Sequence, residues 1–158
     1  PQLQRMMDLR NILGLRSPIH SLARILNPLG ARCGLHSILH PGYQGVHRDA
    51  SGLLGDNVIV VTGDGGEIEI KPDTLSHLYG TTRGQSWDEE WPALAAQRHI
   101  KPERLDSAHL GAFWRGELDD DYGRLAVLAT MALALRGLGE PRETALQRAE
   151  VLWTARLA

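Results

Sequence analysis

The sequence predicts an α/β domain: a parallel-rich sheet with flanking helices that ends in a helical tail. Three observations predict it. Asn57 to Thr62 (NVIVVT) is an unbroken apolar run of strand length, as expected where both faces of a sheet are covered. A short strand and a helix precede it, and the order strand, helix, strand makes a parallel crossover. From Asp106 onward, apolar residues recur at helical spacing.

The elements follow in order. The chain starts at Pro1 without a methionine, and Leu3, Met6, Met7 and Leu9 already run at helical spacing. Ser17-Pro18 reads as an N-cap and a first-turn proline. That helix should carry Ile19, Leu22, Ala23 and Leu26 inward and stop before Asn27-Pro28, because proline pushes the preceding residue out of the α region. Gly34 to His40 reads as a strand. Pro41-Gly42 then opens a helix with Tyr43, Val46, His47, Ala50 and Leu53 or Leu54 on its inward face, ended by Gly55. After the strand to Thr62 come a turn at Gly63 to Gly66, a half-exposed strand over Glu67 to Ile70, and a further strand near Ser76 to Tyr79. Residues 80–104 read as loop, with a short helix around Ser86 to Arg98. Asp106 caps a short helix to Arg115. Asp119 to Asp121 start a buried helix that runs to Arg136 and ends at Gly137 and Gly139. A last helix from Pro141 puts Ala145, Leu146, Ala149, Leu152 and Trp153 on one face. A sheet of two or three strands is thin, so the tail helices are expected to need a partner outside this segment.

At 158 residues, 42% hydrophobic and 23% charged, the chain is in the globular range, which excludes a disordered tail. The single cysteine, Cys33, excludes an internal disulfide and a cysteine-based zinc site, and suits a reducing cytosol. The longest strongly apolar run, Leu125 to Leu135, is too short to span a bilayer. A cytoplasmic protein with no membrane partner is expected. Charge is uneven: residues 1–50 carry +4, residues 51–121 carry −8 and residues 122–158 carry +2. Fifteen of the seventeen basic residues are arginine, which suits bidentate contact with phosphate or carboxylate and equally suits surface pairing with the acidic middle.

Leu13-Gly14-Leu15-Arg16-Ser17, with Asn27-Pro28 ten residues on, resembles a segment of the anthranilate phosphoribosyltransferases. Val58 to Thr62 with Gly63-Asp64-Gly65-Gly66-Glu67 resembles that family's next motif. His40-Pro41-Gly42-Tyr43 and Gly65-Gly66-Glu67 are similar to a divergent, YbiB-like branch of glycosyl transferase family 3. Each motif alone is weak, and the ordered set is what carries the resemblance. It implies the large domain of a nucleoside phosphorylase/phosphoribosyltransferase-type fold, with residues 1–158 forming its C-terminal portion. The N-terminal helical domain and the phosphate loop would lie outside the chain, and this segment alone should not transfer a phosphoribosyl group. A homodimer made through the helical domain is also implied.

By the same resemblance, Arg16 grips the carboxylate of an aromatic acceptor, with His20, Arg24 and Asn27 in the surrounding substrate site. A helix-start arginine paired with a nearby acid is the plain alternative. Glu67 matches the first acid of the family's magnesium pair. The second is missing, since Ile68 follows, so Glu69 on the same strand face or Asp64 would complete the set. A solvated turn and an edge strand fit these acids as well. His20 stands where the family has asparagine and Ala23-Arg24 where it has Gly-Pro, changes that suit an anionic or nucleotide-like ligand.

Two functions are therefore expected. One is pentosyl phosphate transfer from a phosphoribosyl pyrophosphate-like donor to an aromatic or nitrogenous acceptor, with magnesium. The alternative is a non-enzymatic nucleic-acid-binding protein on the same fold, using Arg10, Arg16, Arg24, Arg32 and Arg48 on phosphates. His36, His40 and His47 suggest zinc only weakly, since no spaced carboxylate or cysteine completes the set. The four tryptophans are expected to pack helices.

Overall fold

A computed structural model of the chain describes residues 2–15, 18–63, 68–100 and 106–157, without the side chains of residues 21, 24 and 41. The strand expected at the centre is β2, Val58–Thr62, and its first four residues are buried. It pairs in parallel with β1, Gly34–Ile38, as the crossover requires. Strand β1 ends two residues earlier than its sequence pattern suggests.

The sheet has four strands in the order β1-β2-β3-β4. Strand β3, Ser76–Thr82, confirms the expected strand and extends it. Strand β4, Gln85–Trp91, replaces the helix expected around Ser86 to Arg98. The reason is a tight hairpin. Arg83 and Gly84 form a two-residue loop, both at positive φ (53° and 77°), which matches the twist of paired strands. Arginine is an uncommon residue there. Its N–H donates to Asn57 Oδ1 at 2.7 Å, and Asn57 Nδ2 donates to the Arg32 carbonyl, so the turn is tied to the loop before β1. Both β2–β3 and β3–β4 are antiparallel, so the sheet is mixed: one parallel and two antiparallel pairings.

Register sorts the side chains onto two faces. Ile59, Val61, Leu78 and Trp91 join the main core. Ile38, Val58 and Val60, with Tyr79, form a smaller core on the opposite face. Helix α5, Asp121–Gly137, covers the first face and buries Leu128, Ala129, Ala132, Leu133 and Leu135. Gly137 is needed here, because an added Cβ would lie 2.5 Å from Cys33 Sγ. Helix α5 thus packs on this chain's own sheet. Helix α4, Ser107–Trp114, is capped by Asp106, which accepts from the Ala108 N–H at 2.8 Å. Asp120 caps α5 by accepting from the Gly123 N–H at 2.8 Å. Helix α6, Arg142–Ala155, buries Ala145, Ala149 and Trp153, with Trp153 against Phe113 and Trp114; Leu152 stays exposed. Two tryptophans thus pack helices, whereas Trp87 and Trp91 lie on the sheet.

Helix α3, Gln44–Leu53, follows a short 3-10 turn over Pro41–Tyr43 and covers the second face of the sheet. Its expected inward face holds only in part, at half-buried His47 and Ala50. Tyr43, Val46, Leu53 and Leu54 are exposed, Leu53 by 91%, while Gln44 and Ser51 are buried. The sheet surface explains this. It offers His36, Tyr79 and Thr81 beside a narrow aliphatic patch, and the polar side of α3 matches it. Thr81 Oγ1 donates to the Arg48 carbonyl at 3.3 Å.

Helix α1, Gln2–Leu13, has the expected spacing, but none of its residues is buried. Helix α2, Pro18–Leu22, continues as a 3-10 turn over Ala23–Ile25 and stops before Asn27, as expected. Leu22 and Leu26 are more than half exposed, so they do not point inward as expected. The half-exposed strand expected over Glu67 to Ile70 does not form among residues 68–70. Instead the Ile70 N–H donates to Thr130 Oγ1 at 3.1 Å, fixing this segment to α5. The Ser17 cap lies outside the described residues.

Candidate functional site

In an α/β sheet, ligands bind beyond the carboxyl ends of the parallel strands. Here those ends are Ile38 on β1 and Thr62 on β2. The chain leaves β1 through His40 to Tyr43 into α3, and leaves β2 at Gly63. Gln44, at the first turn of α3, is 3% exposed and donates its Nε2–H to Thr62 Oγ1. A buried amide must be hydrogen-bonded, and this one links the helix start to the strand end. The His40 and Tyr43 rings stand edge to face, 6.4 Å apart, on the same rim. This rim can present an imidazole, a phenol and a threonine hydroxyl to a polar ligand.

The sequence-derived candidates divide. Arg16, Asp64 and Glu67 lie outside the described residues, as does the Arg24 side chain. His20 is half-buried on α2 and interacts within the chain. Asn27 is committed to a loop clasp. Its Oδ1 accepts from the Ala31 N–H at 2.8 Å, and its Nδ2 donates to the Ala31 carbonyl at 2.9 Å and to Asp56 Oδ1 at 3.2 Å. That clasp sits at the amino end of β2. The Gln44–Thr62 contact is at the other end, a five-residue strand away, roughly 16 Å. Glu69 is exposed, just ahead of the Ile70–Thr130 contact. The structure therefore does not bring Asn27 to the Gln44–Thr62 rim. Gln44 and Thr62 carry no motif; the only signal for them is a polar residue at each end of an otherwise covered unit.

Beneath α3, His36 and His47 meet edge to face with ring centroids 6.5 Å apart. Among the described residues, no group of three His, Cys, Asp or Glu converges to hold a metal ion. Of the first-third arginines, Arg48 is tied into the fold by ion pairs with Asp49 and Asp88. No helix among the described residues is long and apolar enough to cross a membrane.

No protein-family model matches the chain. Over 150 residues it is 29% identical to an anthranilate phosphoribosyltransferase of Novosphingobium aromaticivorans, a match that covers 90% of this chain and 46% of that enzyme. Its fold is similar to that of the Saccharomyces cerevisiae anthranilate phosphoribosyltransferase solved with 4-fluoroanthranilate, with a TM-score of 0.72 and 13% identity. That likeness covers 98% of this chain and 48% of the yeast chain. The chain thus spans about half the length of each relative. The resemblance carried by Leu13 to Ser17, Asn27-Pro28 and Val58 to Glu67 is borne out: in sequence and in fold, this chain is similar to about half of an anthranilate phosphoribosyltransferase.

Proposed function

We propose that this chain is the acceptor-side portion of a phosphoribosyltransferase-type enzyme, active in a polypeptide of the relatives' length. The observation that carries the reading is the agreement of sequence and fold: 29% identity across nine-tenths of the chain, together with the mixed four-stranded sheet and its flanking helices.

In this reading a nitrogen of the acceptor attacks the anomeric carbon of a phosphoribosyl diphosphate donor. The carbon–oxygen bond to pyrophosphate breaks with its electron pair, and the nitrogen then loses a proton. Positioning and charge stabilisation of the leaving group supply the rate. Arg16 holds an acceptor carboxylate through two parallel hydrogen bonds. His20 and the Arg24 position replace smaller or neutral family residues, which favours an acceptor more anionic than anthranilate. Magnesium would be held through the hard oxygens of Glu67 with Asp64 or Glu69, and it would neutralise diphosphate charge.

The test is pyrophosphate release by the full-length protein, given phosphoribosyl pyrophosphate, magnesium and a panel of aminobenzoate and nitrogenous acceptors. Acceptor-dependent release is expected. An Arg16→Ala variant should raise KM for carboxylate-bearing acceptors by about tenfold or more, as loss of a charge-assisted bidentate contact does. Absence of both release and calorimetric donor binding would overturn the reading. Salt-sensitive binding of a single-stranded oligonucleotide in its place would establish the nucleic-acid-binding function instead.

A further inference from the structure

Helix α3 presents its apolar side outward. Gln44 and Ser51, spaced by two helical turns, form its buried stripe. Val46 and Leu53, at the same spacing, each lie two positions further on, about 200° round the helix. Both are exposed, Leu53 almost completely, and so are Tyr43 before the helix and Leu54 after it. The neighbouring Asp49 is paired with Arg48, and the stripe itself is uncharged. A helix segregated in this way ordinarily turns its apolar stripe to a core. The sheet beneath α3 offers it only the narrow aliphatic patch of Ile38, Val58 and Val60.

The same imbalance runs through the first third of the chain. Among the described residues, Ile38 is the only apolar side chain that residues 2–54 bury in the core. Helix α1 buries none of its 12 residues. An isolated helix of that length is marginal in water, so α1 also lacks the packing that would hold it. Ile12 and Leu29 are more exposed than most residues of an unpacked surface, at 79% and 93%. Apolar surface left open in one part of a chain marks an interaction face.

The matched region is 46% of the Novosphingobium enzyme and 48% of the yeast chain, so a polypeptide of the relatives' length contains about as much chain again. We infer that the outward stripe of α3, made by Tyr43, Val46, Leu53 and Leu54, docks against that other half of the polypeptide. Covalent linkage favours this occupant. A tethered half faces the stripe at an effective concentration on the order of mM, far above that of a second free copy. A phosphate-bearing ligand finds no cation on the stripe. Docking also gives α3 a role. Held between the sheet and the other half, it keeps Gln44 against Thr62 at the carboxyl end of β2. The inference rests on the transferase reading for the length of the polypeptide alone.

Hydroxyl-radical footprinting of the full-length protein tests it, with side-chain oxidation read by mass spectrometry in the native and the urea-unfolded states. Leu53 and Leu54 should be oxidised about fivefold or more slowly in the native state, because the core of a packed interface excludes water. The slowing should be the same from about 0.1 to 10 μM protein, as an intramolecular contact requires. Equal rates in the two states would overturn the inference. So would slowing that appears only as concentration rises, which would seat a second copy on the stripe. Should the peptide over residues 43–54 not be recovered, Leu53→Glu decides: a lower urea midpoint supports docking, and an unchanged midpoint overturns it. Pyrophosphate release is a separate readout. A covered stripe without release or donor binding would sink the transferase reading alone, and release with an open stripe would sink this inference alone.

Discussion

Arg136 on α5 grips Glu89 on β4, its Nε donating to Glu89 Oε1 at 2.9 Å and Oε2 at 3.2 Å and its Nη2 donating to Oε1 as well. The guanidinium also lies over the Trp87 ring, 4.1 Å from its centroid, and Trp91 Nε1 donates to Glu89 Oε2 at 3.1 Å. One arginine thus locks the edge strand to the helix that covers it.

Removing Arg136 leaves a half-buried carboxylate without its main partner. Such a pair lies between the small value of an exposed ion pair and the larger cost of breaking a buried one, so Arg136→Ala should destabilise by about 2 kcal/mol. Burial opposes the Glu89 charge, but hydrogen bonds from Arg136 and Trp91, with the Arg136 and Arg142 charges, outweigh it and hold Glu89 below its ordinary value of 4.5. Stability from this carboxylate is present above 4.5 and is lost as the pH falls through the lowered folded value. Urea unfolding of wild type and Glu89→Gln across pH 3–7 should therefore converge on the acid side. Parallel curves would show that the pair does not set the acid limb.

Gly80 on β3 sits directly across from Trp87, and a Cβ there would lie 2.1 Å from the indole ring. The ring covers the glycine, and Gly80→Ala must displace it together with the Arg136 stacked on it. A cost of about 1–3 kcal/mol is expected, read as a lower urea midpoint with unchanged m value. Gly80→Ala combined with Trp87→Leu should cost less than the two changes summed, since Trp87→Leu removes the ring that the added methyl would strike.

The Cys33 thiol is pushed up to about 11 by burial, which outweighs the lowering by its backbone hydrogen bond with Ile59. The reactive species is the thiolate. Iodoacetamide at pH 8 should therefore label the folded chain far more slowly than the urea-unfolded chain, by about a hundredfold or more for the thiolate fraction alone. Equal rates would mean that β1 and the α5 terminus open readily around Cys33.

Much of the fold was legible because it is local. The apolar run at Val58 to Val61 can only be a strand covered on both faces, and Asp106 and Asp120 each cap a helix within three residues of themselves. Strand β4 was not legible, because its turn uses Arg83 at positive φ. The cost there is offset by Asn57, a residue 26 positions away. Trp87, Glu89 and Trp91 alternate as a strand should, yet the acidic run through Asp88 to Glu90 suggests a helix until β3 lies beside it. At the candidate site, the motif residues Arg16 and Glu67 stand out in the sequence. Gln44 and Thr62 acquire meaning only when a helix start and a strand end are brought together.

By itself, then, the sequence determined the α/β class, the parallel crossover from β1 to β2, the helix caps and the resemblance to a phosphoribosyltransferase, all of which depend on neighbouring residues or on the order of motifs. Only the tertiary structure decided which face of α3 turns inward, that α5 covers this chain's own sheet, and that Asn27 is drawn to Asp56 at the amino end. A helix with an apolar side turns it to the best available partner, and the sheet beneath α3 offers His36, Tyr79 and Thr81 where an aliphatic surface would have reversed the choice.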